Sequence, residues 1–212
     1  MRIFRLVCAA LLVVGIILSY VASTPDPAIG LVRRTVIFLS FFTIIANCLL
    51  VAVLALPELA PRAAAGAMLA RPSVRGGVVV YAVMVGLIYV LILRHLWSPA
   101  GWQAAGEVIV HYAAPIIAVV DWVVFVPRGR TRWRHAMWWV ALPLAYAVYT
   151  LAHGAATGFY PYPFVDAAAL GLDTVLGHMA LILLGFLVLG LSVVLIDRVE
   201  GRAASRAEGR WR

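Results

Sequence analysis

A threonine, several histidines and a set of carboxylates stand in stretches of this chain that are otherwise apolar. Thr43 lies in SFFTIIANCLLVA, with Asn47 four residues on. His111 lies in GEVIVHYAAPIIAVVDWVVFVP, with Glu107 four residues before it and Asp121 ten after. His178 follows Thr174 by four. Residues four apart share one face of a helix. A Thr hydroxyl is a weak nucleophile, but it becomes useful when a neighbouring imidazole takes its proton during attack on an ester carbonyl. Imidazole suits that task because its ordinary pKa lies near neutrality. A third group usually orients the base, and Glu107 and Asp173 are both candidates on sequence. The developing oxyanion needs donors, for which Asn47 or His178 could serve.

Each of these residues also has an ordinary structural role to weigh. A Thr in a membrane helix commonly bonds the carbonyl four residues back, and an Asn commonly joins two helices. Asp121 could pair with Arg128 or Arg130. His95 and His153 fall at the ends of apolar runs, where an interfacial position suffices. An ionisable group within hydrocarbon is costly, however, and normally faces a bundle interior or a wet cavity. Three of them between Gly106 and Pro127 make that stretch the expected centre of function.

The elements that must carry these groups are membrane helices. The chain is 65% hydrophobic and 12% charged over 212 residues, far from the composition of a soluble domain. Six apolar runs are each long enough to span a bilayer: 3–22, 35–56, 76–93, 106–126, 135–152 and 171–196. Pro and Gly mark the connections, Pro25 and Pro27 among them. The expected fold is an all-α polytopic bundle over residues 1–197, followed by an Arg-rich tail, 198–212. Arg2 and Arg5 precede a core too long for a secretory signal, so a retained first helix is expected. All 17 basic residues are Arg. Fourteen of them fall at one end of a six-span topology, which by the positive-inside rule places both termini in the cytoplasm. The net charge of +8 therefore points to topology and anionic lipid headgroups rather than to nucleic acid. Trp97 and Trp102 on one side, and Trp122, Trp133, Trp138 and Trp139 on the other, suit interfacial belts. Cys8 and Cys48 read as small apolar residues without metal spacing.

This topology predicts depth. At about 1.5 Å per residue, Thr43, His111 and His178 lie roughly 12, 8 and 10 Å below the outer ends of helices two, four and six. They share one layer in the outer half of the membrane, while Asp121 lies deeper, toward the cytoplasm. The loop GFYPYPFVD, Gly158 to Asp166, could cover that layer as a semi-rigid lid, and Asp166 at its end is a further supporting candidate.

No GxSxG, HExxH, phosphate loop or Cys–His metal set occurs, so no metal or cofactor is expected. Three stretches, SFFTIIANCLLVA, HYAAPIIAVVDWVVF and GFYPYPFVD, together resemble the bacterial Pr-six-Pr membrane proteins. These are grouped with the androgen-induced-protein (FAR/AIG-like) family of six-helix proteins, and the resemblance covers about residues 1–197. Animal members of that family are threonine hydrolases that cleave fatty acid esters of hydroxy fatty acids. The resemblance implies Thr43 as nucleophile, His111 as general base, a lipid ester as substrate and a bacterial inner membrane as location. Two other readings are a non-catalytic lipid binder or carrier, and a haem-binding electron carrier using His on facing helices.

Overall fold

The computed structural model describes residues 1–23, 30–96 and 98–209. Pro25, Pro27, Trp97 and the last three residues, including Arg210 and Arg212, lie outside that set. The described residues form helices and connecting turns without a strand. In chain order these are α1 (Arg2–Ala22), α2 (Leu31–Leu39), α3 (Phe42–Leu59), α4 (Ala64–Leu69), α5 (Pro72–Leu91), α6 (Gly101–Val108), a π-helical turn (Ile109–Ala113), α7 (Ala114–Phe125), α8 (Trp133–Thr157), α9 (Ala167–Leu170) and α10 (Leu172–Gly209).

Among the described residues five spans are long and apolar enough to cross a membrane: Arg2–Ala22, Phe42–Leu59, Pro72–His95, Gly101–Phe125 and Leu172–Ala203. The expected fifth run lies in α8. It has 25 residues, but its Trp, Tyr and Pro content makes it less apolar than the others. The helices present an apolar outer surface, with Ile3, Val7, Val32, Leu91, Val148 and Leu181 among the exposed side chains. A soluble monomer does not leave so much apolar area in water, and this is the surface of a multi-pass membrane protein.

The centre of the bundle is α5, which packs against α3, α7, α8 and α10. It is buried all round from Arg75 to Ala82. The stretch expected to be central, α6 through α7, lies beside it and against α1. Small residues permit that closeness. A Cβ on Gly86 would meet the Pro115 ring at 2.9 Å, and one on Gly15 would meet Ile109 Cγ2 at 2.3 Å. Both glycines therefore let a neighbouring helix press against the segment that carries His111.

Two expected boundaries are corrected. The second run is broken into α2 and α3 at Ser40 and Phe41. Ser40 Oγ donates back to the Val36 carbonyl at 2.7 Å, Phe41 is extended, and the Ser40 carbonyl accepts from Tyr146 Oη at 2.9 Å. The break lets adjacent aromatics face different clusters. Phe41 packs on Tyr162, and Phe42 on Tyr81, Tyr146 and Phe186. The second correction is at the C-terminus, where α10 continues through the expected tail to Gly209. Residues 202–208, RAASRAE, are mostly strong helix formers and contain no Pro.

The belts are also narrower than expected. Trp102, Trp133 and Trp138 are exposed, but Trp122 and Trp139 are core residues. Trp139 lies against Gly76 and Gly77 and donates to the Ser73 carbonyl at 2.8 Å.

Candidate functional site

The helix break puts Thr43 in the first turn of α3 rather than in mid-helix. The first four N–H groups of a helix have no partner within it, and the Thr43 N–H is one of these. It donates to Tyr162 Oη at 3.2 Å. The break also removes the carbonyl to which a mid-helix Thr would bond. Thr43 Oγ1 instead lies 3.4 Å from His111 Nε2 and 3.3 Å from Tyr162 Oη. All three residues are buried.

His111 sits in the π-helical turn, and Pro115 accounts for that turn. Pro has no N–H, so the carbonyls of His111, four residues back, and Val110, five back, both lose a helical donor there. The Ala114 N–H goes to Ile109, five residues back, so Val110 cannot recover it. Asn47 supplies what is missing. Its Nδ2 donates to the Val110 carbonyl at 3.1 Å and to the Thr43 carbonyl at 2.8 Å. Asn47 therefore joins α3 to the turn holding His111. With both amide hydrogens engaged, it is not the oxyanion donor that the sequence offered.

Glu107 Oε2 lies 2.8 Å from His111 Nδ1. Neither atom has a directed hydrogen bond. The contact is a close polar approach without a directed bond; catalytic hydrogen bonds are often loose before substrate binds. On its other side the imidazole is stacked on Tyr89, with centroids 3.9 Å apart and planes at 13°. The ring is thereby fixed in plane between Thr43 and Glu107.

Tyr162 is the residue that sequence reasoning missed. The loop carrying it is legible as a possible lid, but nothing in YPYPF says which aromatic turns inward. Burial pushes the Tyr162 phenol up, despite hydrogen bonds from Thr43 that act the other way, so the side chain remains an O–H donor. The neighbouring Phe164 stacks on its ring at 5.2 Å.

The other candidates lie elsewhere. His178 Nδ1 is 2.9 Å from the Phe164 carbonyl, so it holds the loop and leaves the oxyanion role unfilled. Asp166 caps α9 through the N–H groups of Ala168 and Ala169, both at 3.0 Å. Asp173 is exposed on the first turn of α10, which leaves Glu107 as the group beside the imidazole.

Asp121 belongs to a second buried cluster, and its partners are not Arg128 or Arg130. Its two oxygens each accept at 2.6 Å, from Arg5 Nε and from Arg75 Nη1. Arg5 Nη1 also reaches Glu58 at 2.8 Å, and Arg75 Nη2 the Val53 carbonyl at 2.6 Å. The cluster contains two cations and two anions and ties α1, α3, α5 and α7 together. Arg128 instead pairs with Glu200 at 2.7 Å and covers the Trp122 ring.

Two cavities meet at Thr43 and Tyr162. One is an apolar crevice of about 60 Å³ bounded by Phe42, Val85, Pro143, Ile182 and Phe186. The other is about 280 Å³ and carries Ser19, Ser23, Gln103, Glu107 and His111 on its wall. The Ser19 hydroxyl is buried without a partner. Among the described residues no group of three or more His, Cys, Asp and Glu side chains is placed to hold a metal ion.

Comparison of the chain with protein-family models, with curated proteins and with solved structures gives no match.

Proposed function

We propose that this protein is an intramembrane hydrolase acting on a lipid ester, with Thr43 as nucleophile and His111 as general base. The observation that carries the reading is the contact between Thr43 Oγ1 and His111 Nε2 at 3.4 Å, at the junction of an apolar and a polar cavity. In this reading His111 has its proton on Nδ1, toward Glu107, and a free Nε2 toward the hydroxyl. Thr43 Oγ attacks the ester carbonyl carbon as its proton passes to Nε2. The carbonyl oxygen takes the negative charge and accepts a hydrogen bond from Tyr162. The tetrahedral intermediate expels the alcohol, which receives the proton from His111, and leaves an acyl-threonine. Water then attacks that ester with His111 again as base, releasing the fatty acid and restoring Thr43.

The crevice is too narrow for a long chain as it stands, so the apolar side chains around it must part to admit the acyl group. The larger cavity would take the alcohol portion. Six spans with both termini in the cytoplasm, in a bacterial inner membrane, complete the reading. The long α8 and the Arg-rich end of the bundle support that topology. The resemblance of the three sequence stretches to a family of threonine hydrolases supports the same chemistry.

The direct test is covalent labelling of purified protein by a long-chain fluorophosphonate, together with hydrolysis of a long-chain fluorogenic ester. Wild type should give both signals. Thr43→Ala and His111→Ala should each lose them while retaining the wild-type melting profile in detergent. Turnover that survives both substitutions would falsify the mechanism.

A further inference from the structure

The larger of the two cavities at Thr43 has two polar stripes on its wall. Gln103, Glu107 and His111 follow one another at intervals of four along α6 and the π-helical turn, so they share one face. On α1, which packs against α6, Ser19 and Ser23 are also four apart. All five line the cavity of about 280 Å³ that reaches Thr43. Exposure falls along it: Gln103 and Ser23 are exposed, Glu107 is partly buried, and His111 and Thr43 are buried. A polar cleft thus leads from the end of the bundle where α6 begins to the nucleophile.

The wall offers hydrogen bonds. The Ser19 hydroxyl is buried without a partner, although that costs free energy and a helical Ser ordinarily bonds the carbonyl four residues back. A Cβ on Gly106 would meet Ser19 Oγ at 2.8 Å, so glycine there leaves the hydroxyl its space. Ser23 Oγ donates to the Tyr20 carbonyl at 2.8 Å and keeps its acceptor lone pairs. The wall does not offer positive charge. Among its described residues none is Arg, its one carboxylate is Glu107, and the six residues after Ser23, TPDPAI, include no basic residue. Arg34 is held on Tyr20 instead, with Nη2 donating to the carbonyl at 2.7 Å and the guanidinium 4.3 Å from the ring centroid. Arg94 is exposed and donates to His95 Nε2 at 3.0 Å.

An alcohol portion rich in hydroxyls finds partners along this cleft. One that carries a carboxylate or phosphate meets the Glu107 charge, with no cation on the wall to offset it. We propose that the ester cleaved here is that of an uncharged polyhydroxy alcohol, as in a monoacylglycerol, with Ser19 and Gln103 as specificity-determining contacts. The proposal rests on the hydrolase reading of Thr43 and His111. At about 30 Å³ per water-sized group, the cavity of about 280 Å³ has room for a glycerol unit. Thr43 Oγ bonds to the acyl carbon, the bond from that carbon to the glycerol oxygen breaks, and His111 passes the Thr43 proton to that oxygen. Water then cleaves the acyl-threonine, so one ester and one water give one fatty acid and one glycerol.

The test compares esters of a single acyl chain with the purified full chain: monooleoylglycerol, its phosphate ester oleoyl lysophosphatidate, and methyl oleate. Wild type should cleave the glycerol ester with a kcat/KM about tenfold or more above that for lysophosphatidate. Ser19→Ala should lower the ratio of glycerol-ester to methyl-ester turnover about three- to tenfold, as for one lost hydrogen bond. Gln103→Arg should narrow the gap between the glycerol ester and lysophosphatidate. Each ratio is read within one variant, so a smaller folded fraction does not enter it. If no ester is turned over in a Thr43-dependent way, the hydrolase reading fails and this inference fails with it. Thr43-dependent turnover in which lysophosphatidate equals or exceeds the glycerol ester, or a Ser19→Ala ratio equal to wild type, would overturn this inference alone.

Discussion

The Asn47 side-chain amide donates to the main-chain carbonyl of Val110 at 3.1 Å, across 63 residues of chain. That bond connects the helix presenting Thr43 to the irregular turn presenting His111. The distance between hydroxyl and imidazole therefore depends on a residue that touches neither. Asn47→Ala would leave the Val110 carbonyl buried and unpartnered, at a cost of about 1–3 kcal/mol. The expected result is a lower melting temperature in detergent and slower ester turnover. Asn47→Gln, with the amide displaced by a methylene, should not restore either. An unchanged melting curve for Asn47→Ala would show that the carbonyl finds another donor.

Glu107→Gln keeps the size of the side chain and removes its charge. If the carboxylate holds the His111 proton on Nδ1 and stabilises the imidazolium, turnover should fall by roughly tenfold to a hundredfold, within the range for positioned acid–base groups. The effect should appear in kcat, with KM little changed. Glu107 lines the larger cavity, so a KM effect alone would instead assign it to substrate binding.

Tyr162→Phe removes one hydroxyl and retains the ring packed on Phe41 and Phe164. Loss of an oxyanion donor typically costs about 10²–10³-fold in kcat. Fluorophosphonate labelling should slow by a similar factor, since the phosphonyl oxygen takes up charge in the same place. Labelling at the wild-type rate would reduce Tyr162 to a cap on the Thr43 N–H.

Asp121→Ala would leave Arg75 without its carboxylate and Arg5 with Glu58 alone in the buried cluster. Removing one partner of a buried ion pair costs about 3–5 kcal/mol. The protein should express poorly or melt well below wild type. Asp121→Asn, which keeps the acceptor oxygen but not the charge, should recover only part of the loss. Wild-type stability in both variants would mean that water reaches the cluster.

Much of the site is legible in the chain. Helix rise and span order lead one to expect Thr43 and His111 at one level, and the two side chains do meet at 3.4 Å. Glu107 falls beside His111 because residues four apart share a face. The mutual approach of these groups, and the break at Ser40 and Phe41 that frees the Thr43 hydroxyl, are not legible. Ser40–Phe41 has no Pro or Gly to announce it; the break depends on Tyr146 reaching the Ser40 carbonyl from a distant helix. Asp121 shows the same limit. Its cost in an apolar span is evident, but its partners Arg5 and Arg75 lie 116 and 46 residues away, while the arginines nearest in sequence face elsewhere.

The sequence by itself determined an all-helical membrane protein, the approximate places of five of its six expected spans, and which stretches carry a hydroxyl, an imidazole and a carboxylate. Those follow from composition and from the fixed rise and period of a helix, which are local properties. Only the tertiary structure decided that Tyr162 turns inward, that Asn47 is spent on a carbonyl orphaned by Pro115, and that His178 is occupied by the loop. Rotation of one helix against another is set by packing among distant side chains, and no spacing along a single segment encodes it.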